Sequence, residues 1–410
     1  MNPGELEKFK QRVSDQLFGN ILPFWSGPAL DREQGGWMAC LSNDLKPDRK
    51  QPRGLIVNAR ILWAFSAVHQ VRPDAMFKQM ADRAFEYVMN RFWDAQFGGA
   101  FWRLDDAGRV LDDAKKIYGQ AFYIYALAEY HRAFNAPLAL ARAIDLFELI
   151  ERHAHDAEFG GYLEVRQRDW SEAKADARLS DRDMNEKKSM NNHLHVLEAY
   201  TNLYRVWKEP RVEQRLRELI GLFEERILDA RTLHLQHFFD EHWRVRSDTY
   251  TFGHDIEATW LLGEAAEVLG DAALLKRAQD LALRMAKVVL REGIDADGAL
   301  RYEGKGGKII DGGKECWPQA EAVIGFLNAF QLSGDGRYLE ASLRAFDFIE
   351  QKLVDRVHGE WFWRITPEGQ VDATLPKVSE WKGPYHGSRM CLETLHRLGV
   401  LSKQRSNVKV

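Results

Sequence analysis

Two of the apolar segments of the sequence carry a histidine followed three residues later by a glutamate. His195 precedes Glu198 in NNHLHVLEAY, and His254 precedes Glu257 in TFGHDIEATWLL. Residues three apart on a helix share a face and can touch. A carboxylate beside an imidazole fixes the tautomer of the ring and raises the basicity of its other nitrogen, which prepares the histidine as a proton acceptor near neutral pH. The spacing therefore predicts two general bases.

A third histidine, His386, stands near the start of the last apolar segment, PYHGSRMCLETLHRL. Two bases on opposite sides of a pocket can remove a proton from one face of a carbon next to a carbonyl and return one to the other face. The enediolate formed between these steps needs a fixed positive charge, for which the always protonated Arg60 is the candidate. These residues favour inversion of a carbon centre beside a carbonyl.

Other interpretations of the same residues stay open. TFGHDIEATWLL also reads as a capped helix start, with Thr251 as the cap and acidic residues in the first turn. The other specific possibility is a divalent metal site formed by His195, His254, Glu198 and Glu257. Glycoside hydrolysis needs two carboxylates, whereas histidines are prominent here. The sequence contains no nucleophile elbow, P-loop or dinucleotide fingerprint, so nucleophilic, phosphoryl and nicotinamide chemistry are unsupported.

A repeat of about sixty residues organises the chain. The segments GGWMACL, GGAFWRL, GGYLEVR, DGALRYE and HGEWFWR place glycines at positions 35, 98, 160, 298 and 359, so that the spacings are 63, 62, 138 and 61 residues. The spacing of 138 is about two periods. A unit without the glycine fills that gap at LHLQHFFDEHWRV, residues 233–245. The chain therefore contains six units.

Each unit combines an amphipathic segment with a more apolar segment of helical period. The apolar segments are RGLIVNARILWAFSAV, IYGQAFYIYALAEYH, SMNNHLHVLEAYTNLYRVW, TFGHDIEATWLLGEAAEVL, CWPQAEAVIGFLNAF and PYHGSRMCLETLHRL. Six pairs of outer and inner helices predict an all-α fold, an (α/α)6 barrel of twelve helices with short hairpins or loops at one end. We expect one domain over residues 1–400 and a polar C-terminal tail at residues 401–410.

Unusual polar residues stand at the start of every predicted inner helix. They are Asn58, Arg60, Tyr118, Gln120, residues 191–195 and 254–257, Gln319, Glu321, His386 and Arg389. Six parallel helix starts meet at one end of a closed barrel, so these side chains are expected to converge there. Helix N-termini present free N–H groups, which favour a ligand that becomes anionic. The polar stretch 166–189 precedes one of these starts and is either a solvated loop or a lid or wall of the site.

Composition narrows the class of partner. The chain has 410 residues, of which 45% are hydrophobic and 29% are charged, with a net charge of −4 and no basic tract. These values argue against nucleic acid or a membrane as the partner and favour a small neutral ligand. The polar N-terminal segment and the three dispersed cysteines (Cys40, Cys316 and Cys391) predict a cytoplasmic protein without a disulfide framework. We expect it to be a monomer.

Six motifs extend this interpretation across nearly the whole chain. RGLIVNARILW, KKIYGQAF, SMNNHLHVLEAYTNLYRVW, FGHDIEATWLL, WPQAEAVIGFLNA and WKGPYHGSRMCLE occur in this order. Together they resemble the cellobiose 2-epimerases, a branch of the N-acylglucosamine 2-epimerase superfamily. The resemblance implies an (α/α)6 barrel that epimerises C2 of the reducing-end glucose of β-1,4-linked disaccharides such as cellobiose and lactose, without a metal or an organic cofactor.

The resemblance also implies the catalytic residues. His254 and His386 match the acid/base pair that acts on C2 through a cis-enediol intermediate, with Glu257 orienting His254. His195 matches the residue that aids ring opening and proton movement between O1 and O2. Monosaccharide 2-epimerases and aldose–ketose isomerases use the same barrel and much of this histidine set, and they stay as alternatives.

Substrate-binding residues follow from the same motifs. The resemblance assigns the enediol oxygens to Arg60, Tyr118 and Asn191. It places Trp317 on the reducing-end sugar, Trp381 on the second sugar and Asp183 nearby. Relatives often have a second tryptophan where this chain has Cys316. A sugar-binding protein without catalysis is the alternative from another class, because it would keep the two tryptophans without needing three histidines.

Overall fold

Inner and outer helices alternate along the computed structural model, which describes residues 3–172 and 176–408. We number the inner helices 1 to 6 in chain order. They are Leu55–Val71, Ile117–Phe134, Met190–Val206, Phe252–Leu269, Cys316–Ser333 and Tyr385–Val408. Inner helices 1 and 2 are buried along almost their entire length, because their sequences are apolar on every face.

The outer helices are amphipathic and bury one face against the inner ring. Their α-helical parts are Pro3–Gln16, Ala75–Tyr87, Pro137–His153, Pro210–Leu222, Ala272–Glu292 and Gly336–Phe348. Four of them continue into π-helical turns, which are Leu17–Ile21, Val88–Phe92, Phe223–Ile227 and Ile349–Leu353. The first continues further as Leu22–Trp25.

The inner helices form a closed ring. Each packs against the next in chain order, and inner helix 6 packs against inner helix 1 and the first outer helix. The predicted all-α (α/α)6 barrel is confirmed. Inner helix 6 runs through Val408, while the division into a domain at 1–400 and a tail at 401–410 stays a prediction. Among the described residues, no helix is both long enough and apolar enough to cross a membrane.

Short strands surround the end of the barrel where the inner helices begin. They are Arg53–Gly54, Arg103–Leu104, Val110–Asp112, Lys115–Lys116, Val165–Arg166, Lys188–Ser189, Phe238–Phe239, Thr249–Thr251, Glu303–Lys305, Lys308–Asp311, Lys314–Glu315 and Arg364–Ile365. Five antiparallel pairs join the strand before an inner helix to the strand after the next hairpin. A bridge between Leu41 and Val378 joins the first unit to the last and closes the circle.

A hairpin connects the outer and inner helices of each unit. Its antiparallel bridge recurs as Leu30–Trp37, Trp93–Ala100, His155–Tyr162, Leu228–Leu235, Ile294–Leu300 and Val354–Trp361. Gly98 and Gly99 have φ near +72°, a conformation that favours glycine. In the fourth unit, which lacks this glycine, Leu233 takes φ of 63°. The predicted sixth unit of the repeat is therefore a hairpin like the others.

An aspartate begins every hairpin and accepts hydrogen bonds from nearby backbone N–H groups. The six are Asp31, Asp94, Asp156, Asp229, Asp295 and Asp355. In five units a buried cation before the inner helix pairs with this aspartate, and the cations are Arg53, Lys115, Lys188, Lys314 and Lys377. These ion pairs attach five of the six hairpins to the chain just before the inner helix.

Replacing Lys115 by methionine tests this attachment. Its Nζ lies 3.0 Å from Asp94, and both groups are buried. Asp94 keeps Arg168 at 2.9 Å, so we expect the free energy of unfolding to fall by about 2 kcal/mol, less than for a fully unpaired buried charge. Urea unfolding followed by circular dichroism measures it. Lys78→Met, which removes an exposed pair with Asp82, is the control, and equal losses for the two variants would contradict the prediction.

Candidate active site

One cavity of about 420 Å³ opens at the mouth of the barrel. All ten predicted site residues line it. They are Arg60, Tyr118, Asp183, Asn191, His195, His254, Glu257, Trp317, Trp381 and His386. All six inner helices and two loops contribute these side chains, so the cavity exists only when the ring is closed.

Not every polar residue at the helix starts faces this cavity. A second set turns away and binds the backbone of the hairpin in its own unit. Its members and their backbone partners are Gln120 with Ala100, His193 with Tyr162, Asp255 with Leu235, and Gln319 with Leu300. The expectation that all these residues converge was therefore wrong for this set. Each is the fourth residue of its helix, and that position faces the hairpin.

His254 does not use the glutamate three residues later. Its Nδ1 lies 2.6 Å from the hydroxyl of Thr251, the residue just before inner helix 4. Glu257 instead accepts a hydrogen bond from Arg389. The prediction that Glu257 orients His254 was thus wrong, because a nearer hydroxyl takes the ring nitrogen and a buried guanidinium takes the carboxylate.

The other two histidines are held by carboxylates. His195 Nδ1 lies 2.8 Å from Glu198, as the sequence spacing predicted. His386 Nδ1 lies 2.7 Å from Glu321, which belongs to the neighbouring inner helix. Because Nδ1 is engaged in both rings, Nε2 is the nitrogen left for the substrate.

Arg389 links the carboxylates beneath the cavity. Its guanidinium, which is 1% exposed, donates hydrogen bonds to Glu198, Glu257 and Glu321. Burial raises the pKa of Glu198, but Arg389 and His195 outweigh it and hold the value at about 2. Burial and the charge of Glu321 raise the pKa of Glu257 to about 7. The Oε2 atom of Glu257 has no partner in the described part of the chain.

The indole of Trp317 lies close to two imidazoles. Its ring centroid is 4.7 Å from that of His254 and 5.5 Å from that of His386. Burial lowers the pKa of both histidines well below the ordinary value, and neighbouring histidines and arginines add to the effect. Both rings are therefore neutral near pH 7. A flat apolar surface with two neutral imidazoles close to it suits a sugar ring that is to exchange protons.

Arg60 connects the second tryptophan to the polar centre of the cavity. Its guanidinium donates to the carbonyl oxygen of Trp381 at 2.9 Å and to the hydroxyl of Tyr118 at 3.1 Å. Burial raises the pKa of Tyr118 to about 12, so its hydroxyl stays protonated. The ring centroid of Trp381 lies 5.8 Å from that of Trp102. Trp381 thus borders the cavity beside Arg60, the cation that the sequence predicted for the enediolate.

Comparison with known proteins identifies the family. The N-acylglucosamine 2-epimerase (GlcNAc 2-epimerase) family model matches residues 36–386. The chain belongs to the N-acylglucosamine 2-epimerase family. It is 44% identical over 390 residues to a cellobiose 2-epimerase of Bacteroides fragilis, covering 95% of this chain and 99% of that protein. These findings place it among sugar epimerases, which are enzymes of the isomerase class.

Solved structures of relatives have the same fold. The structure of cellobiose 2-epimerase from Bacillus thermoamylovorans B4167 superposes with a TM-score of 0.91 at 37% identity, covering 95% of this chain and 100% of that one. A D-mannose isomerase superposes with a TM-score of 0.81 at 20% identity, covering 96% of this chain and 98% of that one. The second likeness shows the fold alone.

Several residues of this epimerase-family cavity were missed from sequence. Arg182, from the long polar loop, pairs with Glu315 at 2.9 Å, and both line the cavity with Tyr302 and Trp363. Tyr302 and Trp363 lie in the aromatic segments RYE and EWFWR of the repeat. The sequence of these segments does not show which aromatic residues line the cavity and which belong to the core. The loop is part of the cavity wall, where Asp183 accepts a hydrogen bond from the backbone of Ser180 at 2.7 Å. Cys316 also lines the cavity.

Among the residues that the structure describes, one group of possible metal ligands includes two residues that line the cavity. Ligand atoms of Glu257, Glu321 and His386 fall within 4.8 Å of one another. This group differs from the four residues that the sequence suggested. Arg389 already donates to both carboxylates, so a cation occupies the position that a metal ion would need. The donor set does not fit a divalent metal while Arg389 is in place.

Proposed function

We propose that this protein epimerises C2 of the reducing-end glucose of β-1,4-linked disaccharides, converting cellobiose to glucosylmannose and lactose to epilactose. The observation that carries the proposal is the pair of neutral imidazoles, His254 and His386, close to the indole of Trp317. Similarity along the whole chain to cellobiose 2-epimerases supports the choice of substrate.

The arrangement suits proton transfer between two faces of C2. With the reducing-end sugar on Trp317, one imidazole removes the C2 proton through its bare Nε2. The other imidazole first takes up a proton from solvent at Nε2 and then returns it to C2 from the opposite face. Arg60 and the Tyr118 hydroxyl stabilise the oxygens of the cis-enediol, because both are donors in a buried setting. His195 moves a proton between O1 and O2 and aids ring opening. Asn191 and Asp183 hold sugar hydroxyls.

A single experiment tests this proposal. Incubation with cellobiose in deuterated water, followed by NMR, is expected to give a reducing-end mannose that carries deuterium at C2. A ketose product would favour an aldose–ketose isomerase, and turnover of free mannose or N-acylglucosamine alone would favour a monosaccharide enzyme. Binding without any exchange at C2 would indicate a sugar-binding protein.

Trp381 is expected to set the preference for disaccharides. It is half-buried at the cavity edge next to Arg60, and aromatic stacking contributes about 1 kcal/mol beyond the area that it buries. Trp381→Ala should therefore lower kcat/KM for cellobiose about fivefold relative to glucose. The ratio of kcat/KM for the two sugars in wild type and variant measures this. An unchanged ratio would remove Trp381 from the second sugar subsite.

Activity is expected to be independent of metal. Arg389 neutralises the acidic group under the cavity, and each imidazole has a partner of its own. Exhaustive dialysis against a chelator should leave kcat unchanged. Loss of turnover that one divalent metal restores would contradict this prediction.

We further propose that the protein works as a cytoplasmic monomer without nucleic acid or membrane partners. The net charge of −4 and the lack of basic tracts support this part of the proposal. Size-exclusion chromatography with light scattering measures the oligomeric state.

A further inference from the structure

A second cavity lies behind His254. Its volume is about 430 Å³, and it shares His254, Asn191 and Asp183 with the active-site cavity. His237 and Thr251 form part of its wall. His237 lies on the segment LHLQHFF that precedes inner helix 4. It does not line the active-site cavity.

Three hydrogen bonds join His237, Thr251 and His254. The backbone N–H of Thr251 donates to Nε2 of His237 at 3.1 Å. The Thr251 hydroxyl lies 3.3 Å from the same nitrogen and 2.6 Å from Nδ1 of His254. The Thr251 hydroxyl therefore bridges the two rings.

The hydrogen bond from the Thr251 backbone N–H fixes the protonation of His237 and, through the Thr251 hydroxyl, bears on that of His254. Because a backbone N–H can only donate, Nε2 of His237 carries no proton. The nearby hydroxyl can direct its own hydrogen toward the same lone pair, which the backbone N–H and the hydroxyl then share. With its hydrogen used, the hydroxyl accepts from Nδ1 of His254. The proton of neutral His254 then resides on Nδ1, and Nε2 is bare.

Burial supports a neutral state for both rings. It lowers the pKa of His237 to about 4 and that of His254 well below the ordinary value. Neither ring holds a second proton near pH 7, so the single proton of each ring lies on either Nδ1 or Nε2. His195 and His386 need no such device, because the carboxylates of Glu198 and Glu321 can only accept.

We propose that His237, acting through the Thr251 hydroxyl, is a positioning residue that fixes His254 as the Nδ1–H tautomer and so aims the lone pair of Nε2 at the substrate. It replaces the carboxylate that orients each of the other two histidines. This inference rests on the proposed function for its kinetic consequence, but the tautomer itself is measurable without turnover.

Selective ¹⁵N labelling of histidine tests the tautomer directly. The His254 signals are assigned by their loss in His254→Gln. At pH 7.5 the wild type is expected to show Nδ1 protonated and Nε2 unprotonated. In Thr251→Val and in His237→Leu, the proton should move to Nε2, whereas Thr251→Ser and His237→Gln should restore the wild-type pattern, because serine keeps the hydroxyl and glutamine an acceptor. A wild-type ring with Nε2 protonated, or no change in Thr251→Val and His237→Leu, would overturn the proposal.

Kinetics provide the second measurement. Thr251→Val and His237→Leu should lower kcat with cellobiose at least about tenfold, because His254 is then in the tautomer that cannot accept a proton at Nε2. KM should change little, because the residues that contact the sugar are unchanged. Thr251→Ser and His237→Gln should recover most of the lost rate. A loss that the conservative variants do not recover would indicate a structural role and overturn the proposal. Absence of turnover in wild type with the expected tautomer would instead refute the epimerase function.

Discussion

Replacing His254 or His386 by asparagine is expected to lower kcat for cellobiose epimerisation by about 10² to 10⁴. Each imidazole serves one face of C2, and asparagine cannot take up or release a proton. Asparagine still reaches Thr251 or Glu321, the partners that hold Nδ1 in the native rings, so the fold should be retained. Initial rates and circular dichroism of the purified variants measure the two effects.

His242→Asn is the matched control, because His242 is an exposed histidine outside the cavity. It should keep the wild-type rate. Turnover above a tenth of the wild-type rate in either cavity variant would remove that histidine from the acid/base pair.

The second large effect is expected at Arg389. Arg389→Met leaves Glu198, Glu257 and Glu321 buried without their common cation. Removing one partner of a buried ionic cluster costs about 3 to 5 kcal/mol. Denaturant unfolding at pH 7 should show a loss of this size in the free energy of unfolding.

The loss should depend on pH with a known sign. Without the guanidinium, the buried carboxyl groups have raised pKa values in the folded state, so their protonated forms stabilise the fold and this contribution disappears as pH rises. The deficit of Arg389→Met should thus be smaller at pH 5 than at pH 8. Arg397→Met is the control, because Arg397 lies on the same helix, donates to the neutral Asn328 and Gln331 and has the partly exposed Glu393 at 3.5 Å. It should cost about 1 kcal/mol. Equal losses at Arg389 and Arg397 would contradict the prediction.

The barrel could be predicted from sequence because its signals are repeated. Six glycine or aromatic segments and six apolar segments alternate with a constant period, and a closed ring of six is the arrangement that buries every apolar face. The identity of the lining residues followed from helix starts and from family motifs. All ten of them border one cavity.

Side-chain partners could not be predicted in the same way. The same spacing of three gives a hydrogen bond between His195 and Glu198 but none between His254 and Glu257. The difference comes from Thr251, one residue outside the helix, and from Arg389, 132 residues away from Glu257. Sequence spacing describes one helix, whereas these contacts depend on its neighbours.

The repeated aspartates were also missed. Glycines and aromatics stand out in a sequence, while Asp229 and its equivalents do not stand out among 61 acidic residues. Their shared function becomes visible only in the hairpins, where each accepts backbone N–H groups. The fourth unit lacks the buried cation, and His234 lies there between Asp255 and Glu292 instead.

The bridge between Leu41 and Val378 has a consequence for the order of events during synthesis. A ribosome releases the chain from its N-terminus, so inner helices 1 to 5 emerge before the segment that closes the circle. Inner helix 6 then brings the last imidazole, His386, together with Arg389, the cation that the waiting carboxylates of Glu198, Glu257 and Glu321 require. Nascent chains that end before residue 385 thus hold these three acids without a counter-charge and leave an open seam of apolar surface, which makes them natural clients for chaperones.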